Sequence, residues 1–261
     1  MKSFNFKTAT NTKEATKLVS GRSTFLAGGM SLLPAIKLRL AGYSDLINIK
    51  KIKGLSGIKV SSKSLRIGST TTHAEVAASK EVGKSIPSLA VLAEGIGDPQ
   101  VRNRGTIGGS IANNDPAADY PSACLALNAT IHTNKRKILA NKFFKGMFET
   151  DLKKGELIES VEFEVPEKSA YAKFPNPASR YALVGVYVAK LKKEIRVAIT
   201  GVESFVFRCK KIEEALSNNF SPSAIDNVNI SSKGFNSDIH ASAEYRAHII
   251  KVMAKKAVSS C

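Results

Sequence analysis

From Gly97 to Pro121 the chain reads GDPQVRNRGTIGGSIANNDPAADYP. A Gly108-Gly109 pair there follows a dense basic run and precedes an acidic, proline-marked turn. Adjacent glycines have no Cβ to fend off a ligand, so backbone amides can approach it closely. Successive N–H groups in such a turn converge on a phosphate-sized anion. Thr106, Ile107 and Ser110 flank the pair, with two hydroxyls among them, and the Asp119 carboxylate can accept hydrogen bonds from sugar-like hydroxyls. An isolated Gly-Gly is more often a tight turn, but a second pair stands in Phe25, Leu26, Ala27, Gly28, Gly29, Met30, Ser31 and Leu32. That stretch is an apolar run, a glycine turn and the predicted start of a helix, with Ser31 as N-cap and Pro34 in the first turn. A strand entering a helix through glycines is a ready anion site. The chemistry these residues suit is binding of a diphosphate-linked cofactor. Neither G-x-G-x-x-G nor G-x-x-x-x-G-K-[ST] occurs, so the two commonest nucleotide loops are excluded.

Other chemistries find no residues. The sequence shows no nucleophile–base set and no paired carboxylates that would make the chain hydrolytic. Cys124, Cys209 and Cys261 are far apart and form no CxxC, so neither a zinc nor an iron–sulfur ligand set is encoded. Reduced thiols in a cytoplasmic protein are expected, because MKSFNFKTAT lacks a signal-peptide core. No apolar run approaches the ~18 residues of a membrane span. Among 261 residues, 39 Lys and Arg against 22 Asp and Glu give a net charge of +17. The lysines are scattered in pairs and triplets at turns without a stacking platform, which argues against nucleic acid. Steering of an acidic partner or anionic acceptor suits them better.

The elements that must position the glycine pairs follow from patterning. Residues 1–54 predict a small α/β unit: a strand at Phe4–Phe6, a helix over 11–20, and a strand Thr24–Ala27. A helix over 31–40 with Leu32, Leu33, Ile36 and Leu40 on one face comes next, then a strand Asp45–Ile49. Ile58/Val60 and Leu65/Ile67 alternate about the turn Ser61–Ser64 as a hairpin. Thr72-His73-Ala74-Glu75 is a capping box, with His73 expected as a surface or cap residue. Helices are expected over Ser85–Glu94 and Ser122–Leu127, with strands at Ala129–His132 and Val161–Val165. A boundary is predicted near Pro166–Ala170. Beyond it the chain predicts a hairpin of Leu183–Leu191 and Ile195–Thr200, a short helix Arg208–Leu216, and another helix capped by Ser221-Pro222. A last helix over about 241–258 is expected to pack through Tyr245, His248, Ile249, Val252 and Met253.

Taken together, AGGMSLLPAIKLR (27–39) and QVRNRGTIGGSIANNDPAADYP (100–121) resemble the two flavin segments of the FAD-binding medium subunits of molybdenum hydroxylases. This is the xanthine dehydrogenase family, and the likeness is greatest to its carbon monoxide dehydrogenase branch. It continues through FFKGMFETDLKKGELIESVEFEVP (143–166), YAKFPNPASRYALVGVYVA (171–189) and SAEYRAHIIKVMAKKAV (242–258). Met30 departs from the pattern, where many relatives carry a polar residue. The resemblance implies an α+β fold: a two-part FAD-binding domain of the vanillyl-alcohol-oxidase/PCMH type over 1–166 (subdomains 1–54 and 55–166), then a smaller antiparallel-sheet-plus-helix domain over 167–261. It implies FAD held with its pyrophosphate between 27–32 and 106–110. Its flavin contacts are carried onto Phe25 to Leu32, Ile96, Thr106 to Ser110, Asp119, Ile158 and Lys173, with Ile96 and Ile158 as apolar walls. Tyr181 is a candidate cover for the ring. Partners implied are a large molybdopterin subunit and a small [2Fe–2S] subunit, as a dimer of heterotrimers. Electrons would pass through FAD to an external acceptor. The competing readings are a self-contained flavin oxidase and a non-catalytic nucleotide-binding module.

Overall fold

Short apolar strands alternating with capped helices close residues 5–48 into a parallel sheet, seen in a computed structural model that describes residues 2–261. Its elements are β1 (Asn5–Thr8), α1 (Thr12–Lys17), β2 (Ser23–Leu26), α2 (Leu32–Lys37) and β3 (Asp45–Asn48). The order is β1-β3-β2, and both pairings are parallel. Asn11 caps α1 by accepting from the Glu14 N–H at 2.8 Å. α2 is shorter than its pattern predicts. Its chain turns left-handed at Arg39, φ 62°. Of the predicted apolar stripe only Ile36 is buried, and Leu40 is 80% exposed because no layer covers that side. Ser31 takes the N-cap position, but its side chain caps nothing.

The second unit comprises β4 (Ile58–Val60), β5 (Ser64–Gly68), α3 (His73–Ala78), α4 (Lys80–Ser85), α5 (Pro87–Glu94), α6 (Pro99–Arg102), α7 (Ile107–Asn113) and α8 (Tyr120–Ala126). It continues with β6 (Thr130–Thr133), β7 (Lys137–Leu139), α9 (Ala140–Phe143), β8 (Phe144–Gly146), β9 (Glu149–Thr150) and β10 (Ile158–Glu164). The sheet order is β4-β5-β10-β6-β7, and β8 pairs with β9 alone. The hairpin register Ile58↔Ile67 and Val60↔Leu65 is the one the alternation demands. The capping box forms in full: Thr72 Oγ1 accepts from the Glu75 N–H at 3.2 Å, and the Thr72 N–H donates to Glu75 Oε2 at 2.6 Å.

The third sheet is antiparallel, ordered β11 (Lys168–Pro175), β12 (Ala182–Lys190), β13 (Ile195–Thr200) and β14 (Phe207–Arg208). Lys168 already pairs with Lys190, so the predicted linker contracts to the residues before 168. α10 (Lys210–Asn218), a 3-10 turn Pro222–Ile225 and α11 (Ala243–Ser259) complete the chain. Successive β12 residues point to opposite faces. Tyr187, Ala189 and Leu191 enter the core of the second unit with Leu65 and Val161. Val184, Val186 and Val188 enter another core with Ile250 and Ala254 of α11. A strand buried on both faces reads as a continuous apolar run, which explains ALVGVYVAK.

α11 presents a different stripe from the predicted one. Arg246, Ile249, Ile250, Met253, Ala254 and Ala257 are buried, whereas Tyr245, His248 and Val252 are exposed. Arg246 can enter because its guanidinium donates to the carbonyls of Leu183 (2.7 Å) and Gly201 (2.8 Å) and to Asp238 (2.7 Å). A buried charge needs such pairing.

Candidate functional site

The two glycine segments meet. Gly28 packs so tightly on the backbone that precedes Thr106 that a Cβ there would overlap the Arg104 carbonyl oxygen and lie 2.8 Å from Gly105 Cα. Gly29 is left-handed, φ 78°. Within the described residues, the amides of Gly28, Gly29, Met30, Ser31 and Leu32 donate to no protein acceptor. Gly28 is itself buried, and buried N–H groups without a partner are rare in native structures. A run of free amides around an αL glycine is a concave anion site.

The second segment is built differently from the open turn its sequence suggests. Ile107 to Ser110 form the first turn of α7, and every amide there is occupied. Ile107 donates to Thr71 O (3.2 Å), Gly108 to Ser69 O (2.9 Å) and Ser110 to Thr106 O (2.9 Å). The Gly109 amide is capped by Thr106 Oγ1 at 3.1 Å. Gly108 is a packing glycine, since a Cβ would lie 2.5 Å from Ser69 Cβ. Valine at Gly108 would therefore strike the 69–72 segment, not a ligand. Gly109 is exposed and Ser110 partly so, and they are the members of this pair that a ligand can reach. Ile107 is fully buried in the core.

Asp119 and Lys173 come together, but inside the protein. Lys173 Nζ lies 2.9 Å from Asp119 Oδ1, and the Tyr171 hydroxyl donates to the same oxygen at 2.5 Å. Burial raises the Asp119 carboxyl above the ordinary carboxylate range, more than Lys173 and Tyr171 lower it. The sequence expects Asp119 to meet sugar hydroxyls; in the fold its Oδ1 is engaged by Lys173 and Tyr171. Lys173 is no solvated loop lysine either. It donates to Gly95 O (2.7 Å) and Arg180 O (3.1 Å), joining β11 to the turn after α5 and to the β11–β12 loop. Arg180, at φ 61°, also reaches Gly97 O at 3.1 Å, and Arg102 reaches the carbonyls of Ile96 and Gly97 at 3.1 Å each. Ile96 thus sits half-buried on a segment fixed by three cations. Tyr181, in the same loop, lies against the Ser31 side chain, and burial followed by the nearby Asp115 and Asp119 raises its hydroxyl above the usual range. Ile158 is buried in β10 with Ile107 and Ile111 and presents no open wall.

His73 is the residue whose setting the sequence concealed. It is 5% exposed, not at the surface. Its N–H donates to Gly105 O (3.0 Å), and its ring lies where a Cβ on Gly105 would be 2.6 Å from Nε2. The Tyr120 ring lies against it, tilted by 41° with centroids 5.4 Å apart. Burial, then the Arg102 charge, pushes its pKa down to about 4. The ring therefore braces, in its neutral form, the peptide on which Gly28 rests. Gly105 lies 32 residues from His73 in the chain, so no local pattern signals this contact.

Fold and site together define a mixed α and β protein in which two glycine segments meet, the first carrying a run of unpaired amides. A family model described as "FAD binding domain in molybdopterin dehydrogenase" matches residues 2–167, and the chain belongs to this family of oxidoreductase subunits. It is 35% identical to the glyceraldehyde dehydrogenase medium chain of Sulfolobus acidocaldarius, over 97% of this chain and 96% of the relative. With the carbon monoxide dehydrogenase medium chain of Hydrogenophaga pseudoflava it shares 37% identity over 70% of this chain and 68% of the relative. Its fold matches a chain of reconstituted CO dehydrogenase from Oligotropha carboxidovorans with a TM-score of 0.92 at 27% identity, covering 99% of this chain and 97% of that one. A chain of quinoline 2-oxidoreductase from Pseudomonas putida 86 matches with a TM-score of 0.89 at 26% identity, covering 100% and 98%.

Proposed function

We propose that this chain holds FAD as the electron-transfer subunit of a molybdenum hydroxylase, taking electrons from iron–sulfur clusters in a partner and passing them to an external acceptor. The observation that carries this is the row of unpaired amides from Gly28 to Leu32, closed on one side by the Arg104–Gly105 backbone. These amides are the place for a pyrophosphate, with Gly109 and Ser110 the members of the second segment that a ligand can reach. Ile96 is an apolar wall and Tyr181 a cover over the ring. Asp119 acts by fixing Lys173, which in turn fixes the Gly95 and Arg180 carbonyls around the cleft. Thr106, Ile107, Gly108 and Ile158 act from beneath, as the packing that sets the cleft's shape. Bound FAD would supply the acceptance and release of electrons, while the chain sets orientation and excludes water.

The family match over 2–167 and the change of sheet at Lys168 support a FAD-binding part of the vanillyl-alcohol-oxidase/PCMH type over 1–166, followed by a C-terminal part over 167–261. We place the subunit beside a large molybdopterin subunit and a small iron–sulfur subunit, in a dimer of heterotrimers. The medium-chain names of its relatives support such an assembly. A cytoplasmic location suits three free thiols. Among the described residues no helix is long and apolar enough to cross a membrane. The test is purification of the chain alone, followed by a visible absorbance scan and assays. Retained flavin, dye reduction from an artificial donor and no substrate oxidation are expected. A colourless chain that takes up no FAD would overturn the reading, and substrate turnover by the isolated chain would replace it with the self-contained oxidase.

A further inference from the structure

α7 carries the second glycine segment at its start and a hairpin at its end. β8 and β9 are joined through Met147 and Phe148, neighbouring apolar residues that are 54% and 58% exposed. Single exposed apolar side chains are ordinary; this pair is mounted. Asn114, which ends α7 in the left-handed conformation (φ 44°), donates from Nδ2 to the carbonyls of Gly146 (2.8 Å) and Glu149 (2.9 Å). The Phe148 N–H donates back to Asn114 O at 3.1 Å. At the hairpin's base, Phe143 and Phe144 stack edge to face at 5.1 Å. Phe148 itself is held at φ 56°, a region that a bulky side chain enters only where its surroundings over-determine it. The fold thus spends conformational strain to hold an aromatic ring outward in water.

We propose that the Met147–Phe148 tip is the docking point for the electron-donating partner, an iron–sulfur protein that presents an acidic rim around an apolar socket. The proposal rests on the electron-transfer reading above. Methionine and aromatic residues are the types enriched at interface centres. The hairpin is hydrogen-bonded to the end of α7, a helix about 10 Å long that starts at the second glycine segment, so a donor seated on the tip is brought toward the cleft. Its rim is basic. Lys142, Lys145, Lys153 and Lys154 are exposed in the flanking sequence; against them stand Glu149, exposed beside Phe148, and Asp151, which Arg136 holds at 2.7 Å and which Lys145 and Lys153 approach to 3.9 and 3.8 Å, so positive charge remains in excess. An acidic partner is the complement, within a chain of net charge +17.

The test uses the full chain co-expressed with the iron–sulfur and molybdopterin subunits of its own complex. In the Met147→Glu/Phe148→Glu variant we expect unchanged flavin content and unchanged dye reduction. The iron–sulfur absorbance that co-purifies should fall at least about tenfold, as loss of a central anchor does. Leu38→Glu/Leu40→Glu, at an apolar pair still more exposed and lying beyond α2, should assemble like the wild type. Phe148→Asn keeps the left-handed conformation without the ring; it decides the matter if the glutamates disturb folding, and should also lose the partner. Undiminished assembly of the folded tip variants overturns the docking site. So does light scattering that shows the tip joining two copies of this chain. A chain without flavin would count against the functional reading instead, since the co-purification assay reads docking whether or not flavin is bound.

Discussion

Gly28 and the carbonyl of Arg104 are in direct contact, with no room between them for a methyl group. This one contact joins the two glycine segments. Gly28→Ala must push them apart, and overpacking of this kind costs about 1–3 kcal/mol. Urea unfolding should show that loss, and the purified variant should carry little FAD. Gly83→Ala, in α4 with open space around it, is the control and should be neutral or stabilising.

Gly108 and Gly109 should separate stability from affinity. Gly108→Ala drives a methyl into Ser69 and should destabilise by about 1–3 kcal/mol. Gly109→Ala meets only Thr106 Oγ1, at 3.0 Å. Helix propensity favours alanine there by up to about 1 kcal/mol, offset by the shift it forces on the Thr106 cap, so the apoprotein should lose less stability than Gly108→Ala while its FAD affinity falls. Thermal melts and flavin titration of the same two proteins check both effects.

The Asp119–Lys173 pair is internal, so breaking it should cost stability before it costs flavin. Lys173→Met leaves a buried carboxylate without its cation, which costs about 3–5 kcal/mol. Asp119→Asn in the same chain should recover much of that, as a double-mutant cycle would show. Burial holds the Asp119 carboxyl above its ordinary range. A group whose folded pKa is raised favours folding at low pH, so the deficit of Lys173→Met should shrink as pH falls.

His73 predicts an acid window. Its pKa drops from 6.5 to about 4 on folding. A depressed histidine contributes stability that is present above pH 6.5 and lost as pH falls toward 4. The shift corresponds to about 3 kcal/mol. His73→Phe should flatten unfolding free energy across that window relative to wild type, and equal slopes for the two proteins would remove His73 from the account.

Features set by neighbours in sequence were legible. The Thr72–Glu75 capping box and the Ile58↔Ile67 register need only local hydrogen bonds and alternation, and the strand Ile195–Thr200 is a run rich in β-branched residues; all three form. Features set by contacts across the fold were not. His73 heads an amphipathic helix and reads as solvated, yet Tyr120 and Gly105 enclose it. The α11 stripe includes Arg246 because two distant carbonyls and Asp238 satisfy its charge, which no apolar count can anticipate.

By itself the sequence determined the cofactor class, since two glycine pairs in specific surroundings tie the chain to FAD-binding subunits, and no cysteine cluster is present to hold iron and sulfur. Only the tertiary structure decided which glycine does what. The amides after Gly28 are free, whereas those after Thr106 are spent on Ser69, Thr71 and Thr106 itself. Whether an N–H is available to a ligand depends on which acceptors the fold brings within about 3 Å, and those acceptors lie elsewhere in the chain.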